Sequence, residues 1–252
     1  MPRLIPSLLL SSSRGGLVKT ERFKAPKYVG DAINAVRILN EKEVDELIVL
    51  DIDASVQGRG PDFEIAEQLA SECFMPLCYG GGIRSFDDAR TLLSLGVEKL
   101  ALQSAFLDDP TILRKIADHA GEQAVVASID VGKDWLGRYR LRRRSRGSDD
   151  WRQALATAVA NGAGEILLTA VHCEGTMNGM DYGLISEASD LVDVPLIANG
   201  GAGSLADVQE AVRAGASAVA AGAFFVFYGP HRAVVITYPR YEEVVALWHE
   251  AA

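Results

Sequence analysis

Two stretches of this chain, 119 residues apart, have nearly the same pattern: PLCYGGGIRSFDDA from Pro76 and PLIANGGAGSLADV from Pro195. Each reads as an apolar run, a glycine loop, a serine cap and an amphipathic helix. The same offset carries Glu46 onto Glu165 and Gly96 onto Gly215. A repeat of this length implies one structural half used twice. Eight short apolar runs punctuate the chain, near 3–10, 46–52, 75–79, 98–103, 124–130, 165–171, 195–199 and 217–222. They are rich in Val, Ile, Leu and Ala and do not alternate with polar residues, which suits parallel strands buried on both faces. Helix-like segments lie between them, such as 31–44, 85–96 and 204–215. The last two open on a serine and close on a glycine. Eight strand–helix units in 252 residues predict an α/β fold, a closed (β/α)8 TIM barrel. It is expected to form a single domain over 1–252, built from half-barrels of about 1–122 and 123–252.

The charge balance narrows the function. A net charge of −9 argues against nucleic-acid binding by the surface as a whole. No apolar run reaches membrane-spanning length, and the N-terminus lacks the basic region of a signal peptide, so a cytoplasmic protein is expected. Cys73, Cys78 and Cys173 are too few and too scattered for a disulfide framework or a zinc site. No metal and no cofactor are expected.

Barrel enzymes do their chemistry at the C-terminal ends of the strands. Gly80-Gly81-Gly82 follows the third apolar run, and Gly200-Gly201-Ala202-Gly203 follows the seventh. Glycine lets backbone N–H groups approach an anion at a helix start. Two such loops on opposite sides suit a ligand with a phosphate at each end, although glycines also serve tight turns. Asp51, Asp53 and Asp130 fall at strand ends 2 and 5, where a carboxylate is either an acid–base group or a structural acceptor. Matching Ala127–Val131 to Pro6–Leu10 places Leu9 where the other half has Asp130. Leucine transfers no protons.

The segments RLIPSL, LVKT, DELIVLDIDAS, GGGIRSFDDA, EKLALQS, ASIDV, GEILLT, EGTMNGMD and NGGAG resemble, over nearly the full length, the cyclase subunit of imidazole glycerol phosphate synthase. The resemblance implies a lyase-type cyclisation with aspartates at strands 1 and 5 as acid and base. The strand-5 aspartate carries over to Asp130, and the strand-1 aspartate falls on Leu9. It also implies phosphate binding at Gly81, Gly82, Gln103, Ser104, Gly200, Gly201, Gly203 and Gly222. Lys19, Asp51, Thr169 and Gly175 complete the implied site. Gln103 and Ser104 stand where the family has Asn-Thr. His172 and Glu174 replace aspartates, and Gly222 replaces a serine.

Arg3, Glu46, Lys99 and Glu165 begin or precede strands 1, 2, 4 and 6, so strand polarity puts them at the opposite mouth. Two cations and two anions there form a candidate ring. Bottom-face charge ordinarily means stability. The resemblance implies instead a gate admitting ammonia from a docked glutaminase subunit.

Two segments have no counterpart in the cyclase. RYRLRRRSRG (138–147) puts six arginines in nine residues, and reads either as a solvated hairpin or as a contact for a polyanion or acidic partner. The stretch 224–244 inserts aromatic and β-branched residues after strand 8, expected to be an exposed docking surface. These departures resemble a branch of the family found beside sugar-amidating enzymes. That likeness implies ammonia delivery to an ATP-dependent amidotransferase at the top of the barrel, making an acetamidino sugar of a surface polysaccharide. The other readings are a working cyclase of histidine biosynthesis and a phosphate-binding scaffold that handles no ammonia.

Overall fold

Strands apolar on both faces need both covered, and a closed barrel does this with helices outside and its own sheet within. The computed structural model of the protein, which describes residues 2–143, 147–229 and 231–249, has that arrangement. The parallel strands are β1 (Arg3–Ser11), β2 (Leu47–Asp51), β3 (Leu77–Gly80), β4 (Lys99–Leu102), β5 (Val125–Lys133), β6 (Glu165–Ala170), β7 (Leu196–Asn199) and β8 (Ala218–Ala221). They pair in sequence order, and β8 closes on β1 with Arg3 opposite Ala218. The outer helices are α1 (Ala32–Asn40), α2 (Phe63–Glu72), α3 (Phe86–Ser94), α4 (Thr111–Ala120), α5 (Trp151–Ala160), α6 (Tyr182–Ser189), α7 (Leu205–Arg213) and α8 (Tyr241–His249). The fold predicted from the apolar runs is the fold observed. None of the helices, among the described residues, is long and apolar enough to cross a membrane.

The period-two alternation of each strand divides the core. Ile5, Ile48, Cys78, Val126, Leu167, Ile197 and Ala218 point inward and form a plug inside the barrel. Leu4, Leu47, Leu77 and Leu100 point outward and pack against the helices. The helices are amphipathic, as α4 shows by burying Ile112, Leu113, Ile116 and Ala117. The repeated motifs also repeat in geometry. Ser85 caps α3 by accepting from the Asp88 N–H, and Ser204 caps α7 by accepting from the Asp207 N–H. Past these helices Gly96 and Gly215 take φ of +99° and +105°, backbone that side-chain-bearing residues rarely adopt.

Three additions interrupt this plan. Gly16–Glu21 and Lys24–Gly30 form an antiparallel hairpin after β1. Tyr139–Leu141 adds an antiparallel strand to the end of β5. After β8 a helical turn, Ala223–Val226, leads to a hairpin of Phe227–Tyr228 with Ala233–Val234. The inserted stretch 224–244 is therefore not uniformly exposed. Phe225, Val226, Phe227 and Tyr238 are buried, while Tyr228, Val234 and Val235 face solvent. Tyr238 stacks on Phe225 at 5.4 Å between ring centroids, and its hydroxyl donates to the Leu4 carbonyl at 2.9 Å. The segment thus descends the outside of the barrel and is tied to the start of β1.

Candidate functional site

At the bottom mouth, four charged side chains form a closed ring. Arg3 contacts Glu46 at 2.5 Å and Glu165 at 2.8 Å, and Lys99 contacts the same two carboxylates at 2.9 and 3.0 Å. Strand polarity explains the meeting: Arg3, Lys99 and Glu165 open β1, β4 and β6, and Glu46 precedes β2. Glu46 is 1% exposed and Glu165 8%, so the two anions are largely out of water and the two cations offset that cost. One oxygen of Glu46, Oε1, is buried without a hydrogen-bond partner. Immediately above the ring lies the apolar plug. Cys78 is inside it, and burial pushes its thiol well above the ordinary range, with the Glu46 charge adding to the shift.

The top mouth opens into a cavity of about 480 Å³, of a size that holds a small ligand. Lys19, Asp51, Gly81, Gly82, Gln103, Ser104, Asp130, Thr169 and Gly222 all line it. Gly175, Gly200, Gly201 and Gly203 do not line it. Asp130 points inward from β5, and Leu9 points inward from β1 into the same space. Burial raises the Asp130 carboxyl to about 6; Gln103 and Thr169 pull it back down, and the Glu174 charge pushes it up. A carboxyl titrating there suits acid–base work near neutral pH. Its counterpart across the cavity is aliphatic.

The remaining predicted residues have definite local duties. Asp51 accepts from the Asp53 and Ala54 N–H groups and pairs with Arg59 at 2.6 Å. Asp53 gathers the Ser11 and Ser13 hydroxyls and the Ser13 N–H. Gly81 and Gly82 are required by close packing, since a Cβ would sit 2.3 Å from the Asp51 carbonyl oxygen and 2.6 Å from Gly60. The second glycine loop is packed against the connection after β6. A Cβ on Gly201 would meet the Gly179 carbonyl at 2.1 Å, one on Gly203 the Met177 carbonyl at 2.4 Å, and the Gly203 N–H already donates to Asp207. Both loops are thus closely packed, and of the two Gly80-Gly81-Gly82 lines the cavity.

Lys19 reaches from the β1 hairpin into the barrel. It is 4% exposed, and its ammonium donates to the Ser7 carbonyl at 2.5 Å. A Cβ on Gly222 would lie 2.4 Å from its Nζ, so a serine at 222, as in the resembled family, would require the end of Lys19 to shift. Burial lowers the Lys19 pKa to about 8, partly offset by Glu174. Glu174 also accepts from the Thr20 hydroxyl and the Phe23 N–H, which holds the hairpin over the cavity. His172 turns away and pairs with Asp181 at 2.7 Å.

Sequence reasoning missed several residues of the cavity wall. Ser7, Ser128 and Asn199 line it, and the Asn199 amide donates to Thr169. The first two lie two residues before Leu9 and Asp130, so strand alternation alone would have found them. Within the arginine-rich segment, Arg138 and Arg140 pair with Asp134. Arg142 and Arg143 line the cavity. Residues 144–146 lie outside the described residues.

Comparison with known proteins agrees with this architecture. Residues 3–231 match the model of the family described as histidine biosynthesis protein. The chain belongs to that family. It is 50% identical over 244 residues to a Pseudomonas aeruginosa protein provisionally named imidazole glycerol phosphate synthase subunit hisF2, covering 94% of this chain and 95% of the relative. A Leptospira interrogans protein provisionally named imidazole glycerol phosphate synthase subunit HisF is 43% identical over 98% of this chain and 99% of the relative. The imidazole glycerol phosphate synthase subunit HisF of Dictyoglomus thermophilum is 38% identical over 89% of this chain and 90% of its own length.

Proposed function

We propose that this HisF-like barrel docks a glutaminase at its bottom mouth, conducts ammonia through its axis and hands it to an ATP-dependent amidotransferase at its top. In this reading its own cyclisation chemistry is lost. The acceptor is a surface-polysaccharide sugar whose acetamido group becomes acetamidino, as the departures from the cyclase pattern suggest. The observation that carries the proposal is a contrast within one barrel: a complete charged ring below, and Leu9 facing Asp130 above. Ammonia enters as the neutral molecule, because the plug of Ile5, Ile48, Val126 and Leu167 offers an ion no compensation for lost water.

The decisive experiment compares glutamine-driven with ammonium-driven product in the reconstituted assembly, for wild type and Lys99→Ala, both checked for folding. A conduit loses the glutamine-driven reaction and keeps the other, because external ammonia bypasses the bottom mouth. An unchanged ratio leaves the ring as bottom-face stabilisation and removes the conduit.

A second reading keeps the cyclase of histidine biosynthesis. It is favoured by one observation: Lys19 and Asp130 share the cavity with pKa values of about 8 and about 6, so Lys19 substitutes for the missing aspartate in that account. Imidazole product formed from the histidine-pathway substrate and ammonium salt, and lost in Lys19→Met, selects this reading.

A further inference from the structure

The connection from β5 to α5 turns back on itself. Tyr139–Leu141 pairs antiparallel with β5, Leu141 opposite Val131, and the Arg142 N–H donates to the Asp130 carbonyl at 2.7 Å. A segment that would otherwise extend into solvent is thereby led back to the catalytic end of the strand, and it delivers Arg142 and Arg143 to the cavity wall. The backbone makes room for this. A Cβ on Gly132 would lie 2.5 Å from the Arg142 Nε, so any other residue at 132 displaces that guanidinium. Arg143 is steered by the carbonyl of Leu107 and the carboxylate of Asp108, each at 3.3 Å.

Both arginines stand beside a group of polar donors. Gln103 and Ser104 line the same wall, and the Gln103 Nε2 is buried beside Asp130 with no hydrogen bond of ordinary geometry. Leu107, which positions Arg143, lies three residues beyond Ser104 in one helical turn, about 4.5 Å along its axis. Two linked phosphoryl groups fit within the cavity of about 480 Å³ that these side chains line. The guanidinium is the side chain suited to them, because its planar fork binds two phosphate oxygens at once. Arg138 and Arg140, from the same segment, are engaged by Asp134 and lie outside the cavity wall.

We propose that Arg142 and Arg143 form the second half of a diphosphate subsite whose first half is Gly82, Gln103 and Ser104; the ligand of this cavity is an organic diphosphate. The inference rests on reading Gly82, Gln103 and Ser104 as a phosphate site, and adds the arginines and the diphosphate to it.

Calorimetric titration of the full chain with inorganic phosphate and with inorganic pyrophosphate tests it. The expected result is pyrophosphate binding at least tenfold tighter than phosphate. The double variant Arg142→Gln/Arg143→Gln brings the two affinities within about twofold, weakening pyrophosphate far more than phosphate. Because pyrophosphate also carries more charge, Arg142→Lys/Arg143→Lys is titrated alongside. It keeps the charge and removes the forks, so most of the discrimination is lost; the same pair decides the matter if the glutamine pair fails to fold. Equal affinities in wild type, or full discrimination in the lysine pair, overturn the proposal. If phosphate itself does not bind, the failure lies in the Gly82–Gln103–Ser104 reading. If phosphate binds and pyrophosphate binds no tighter, only the arginine subsite falls.

Discussion

At the bottom mouth of this barrel two cations and two anions pair with one another in a ring; at the top mouth Asp130 shares its cavity with Leu9. In the ring each charge meets two of opposite sign, although Glu46 Oε1 has no hydrogen-bond partner. In the cavity the buried Lys19 ammonium donates to a backbone carbonyl, and burial raises the Asp130 carboxyl to about 6. In a protein kept only for its fold, polar groups in the cavity would be expected to erode along with the catalytic pair. In the proposed reading the acid–base pair is broken while the cations and amide donors around it persist, which would separate loss of one reaction from loss of function.

The largest effect that would sharpen the contrast is on cyclisation. General acid–base groups each contribute about 10²–10⁴-fold, so turnover of the histidine-pathway substrate with ammonium salt is expected to be lower than in a HisF with both aspartates by at least that factor. Ordinary turnover would mean the top mouth is as complete as the bottom. Next comes the ring. Lys99→Ala leaves two buried carboxylates to share Arg3, and breaking a buried pair costs about 3–5 kcal/mol, less where water reaches it. With Lys99 partly exposed, a loss of roughly 2–3 kcal/mol in urea unfolding is expected, and no loss would show that the ring is solvated.

The cavity predicts a smaller, pH-dependent signature. Below pH 4 Asp130 is neutral whether folded or unfolded. As pH rises from about 4 to about 6 the unfolded chain ionises it first, so stability falls by roughly 2–3 kcal/mol across that window. Asp130→Asn removes the slope. Lys19 acts in the opposite sense: between about 8 and 10.5 the folded chain releases the proton that the unfolded chain still holds, so stability rises with pH there. Lys19→Met flattens that limb. Chemical unfolding across pH checks both, and slopes of reversed sign would break the account of a desolvated cavity. The smallest effect belongs to the rim. Arg138 pairs with Asp134 at the surface, and Arg138→Ala is expected to move the melting temperature by no more than about 2 °C.

Local pattern carried the framework. The run at 195–199 and the serine-to-glycine segment at 204–215 become β7 and α7 because apolar content, cap and terminator agree. Strand polarity sufficed to bring Arg3, Glu46, Lys99 and Glu165 to one mouth. The top was harder to read because its residues meet through connections that have no period. The resemblance marks Lys19, but that its ammonium is buried against the Ser7 carbonyl, with Gly222, 203 residues later, leaving space for it, is set by packing. That Gly201 and Gly203 pack against Gly179 and Met177 is likewise not written in the loop itself. The inserted stretch after β8 looks exposed until Tyr238 folds back on Phe225. Each depends on long-range packing that composition does not encode.

The tie between Tyr238 and Leu4 joins residues 234 apart in the chain, so closing it costs loop entropy much as the closure of β8 on β1 does. Leu4 adjoins Arg3, and Asp45, which accepts from the Leu4 N–H, adjoins Glu46. The residues flanking the ring are thus tied through Tyr238 to the segment beyond β8, so a change that frees that segment is expected to loosen the bottom mouth as well, although the two are far apart in sequence.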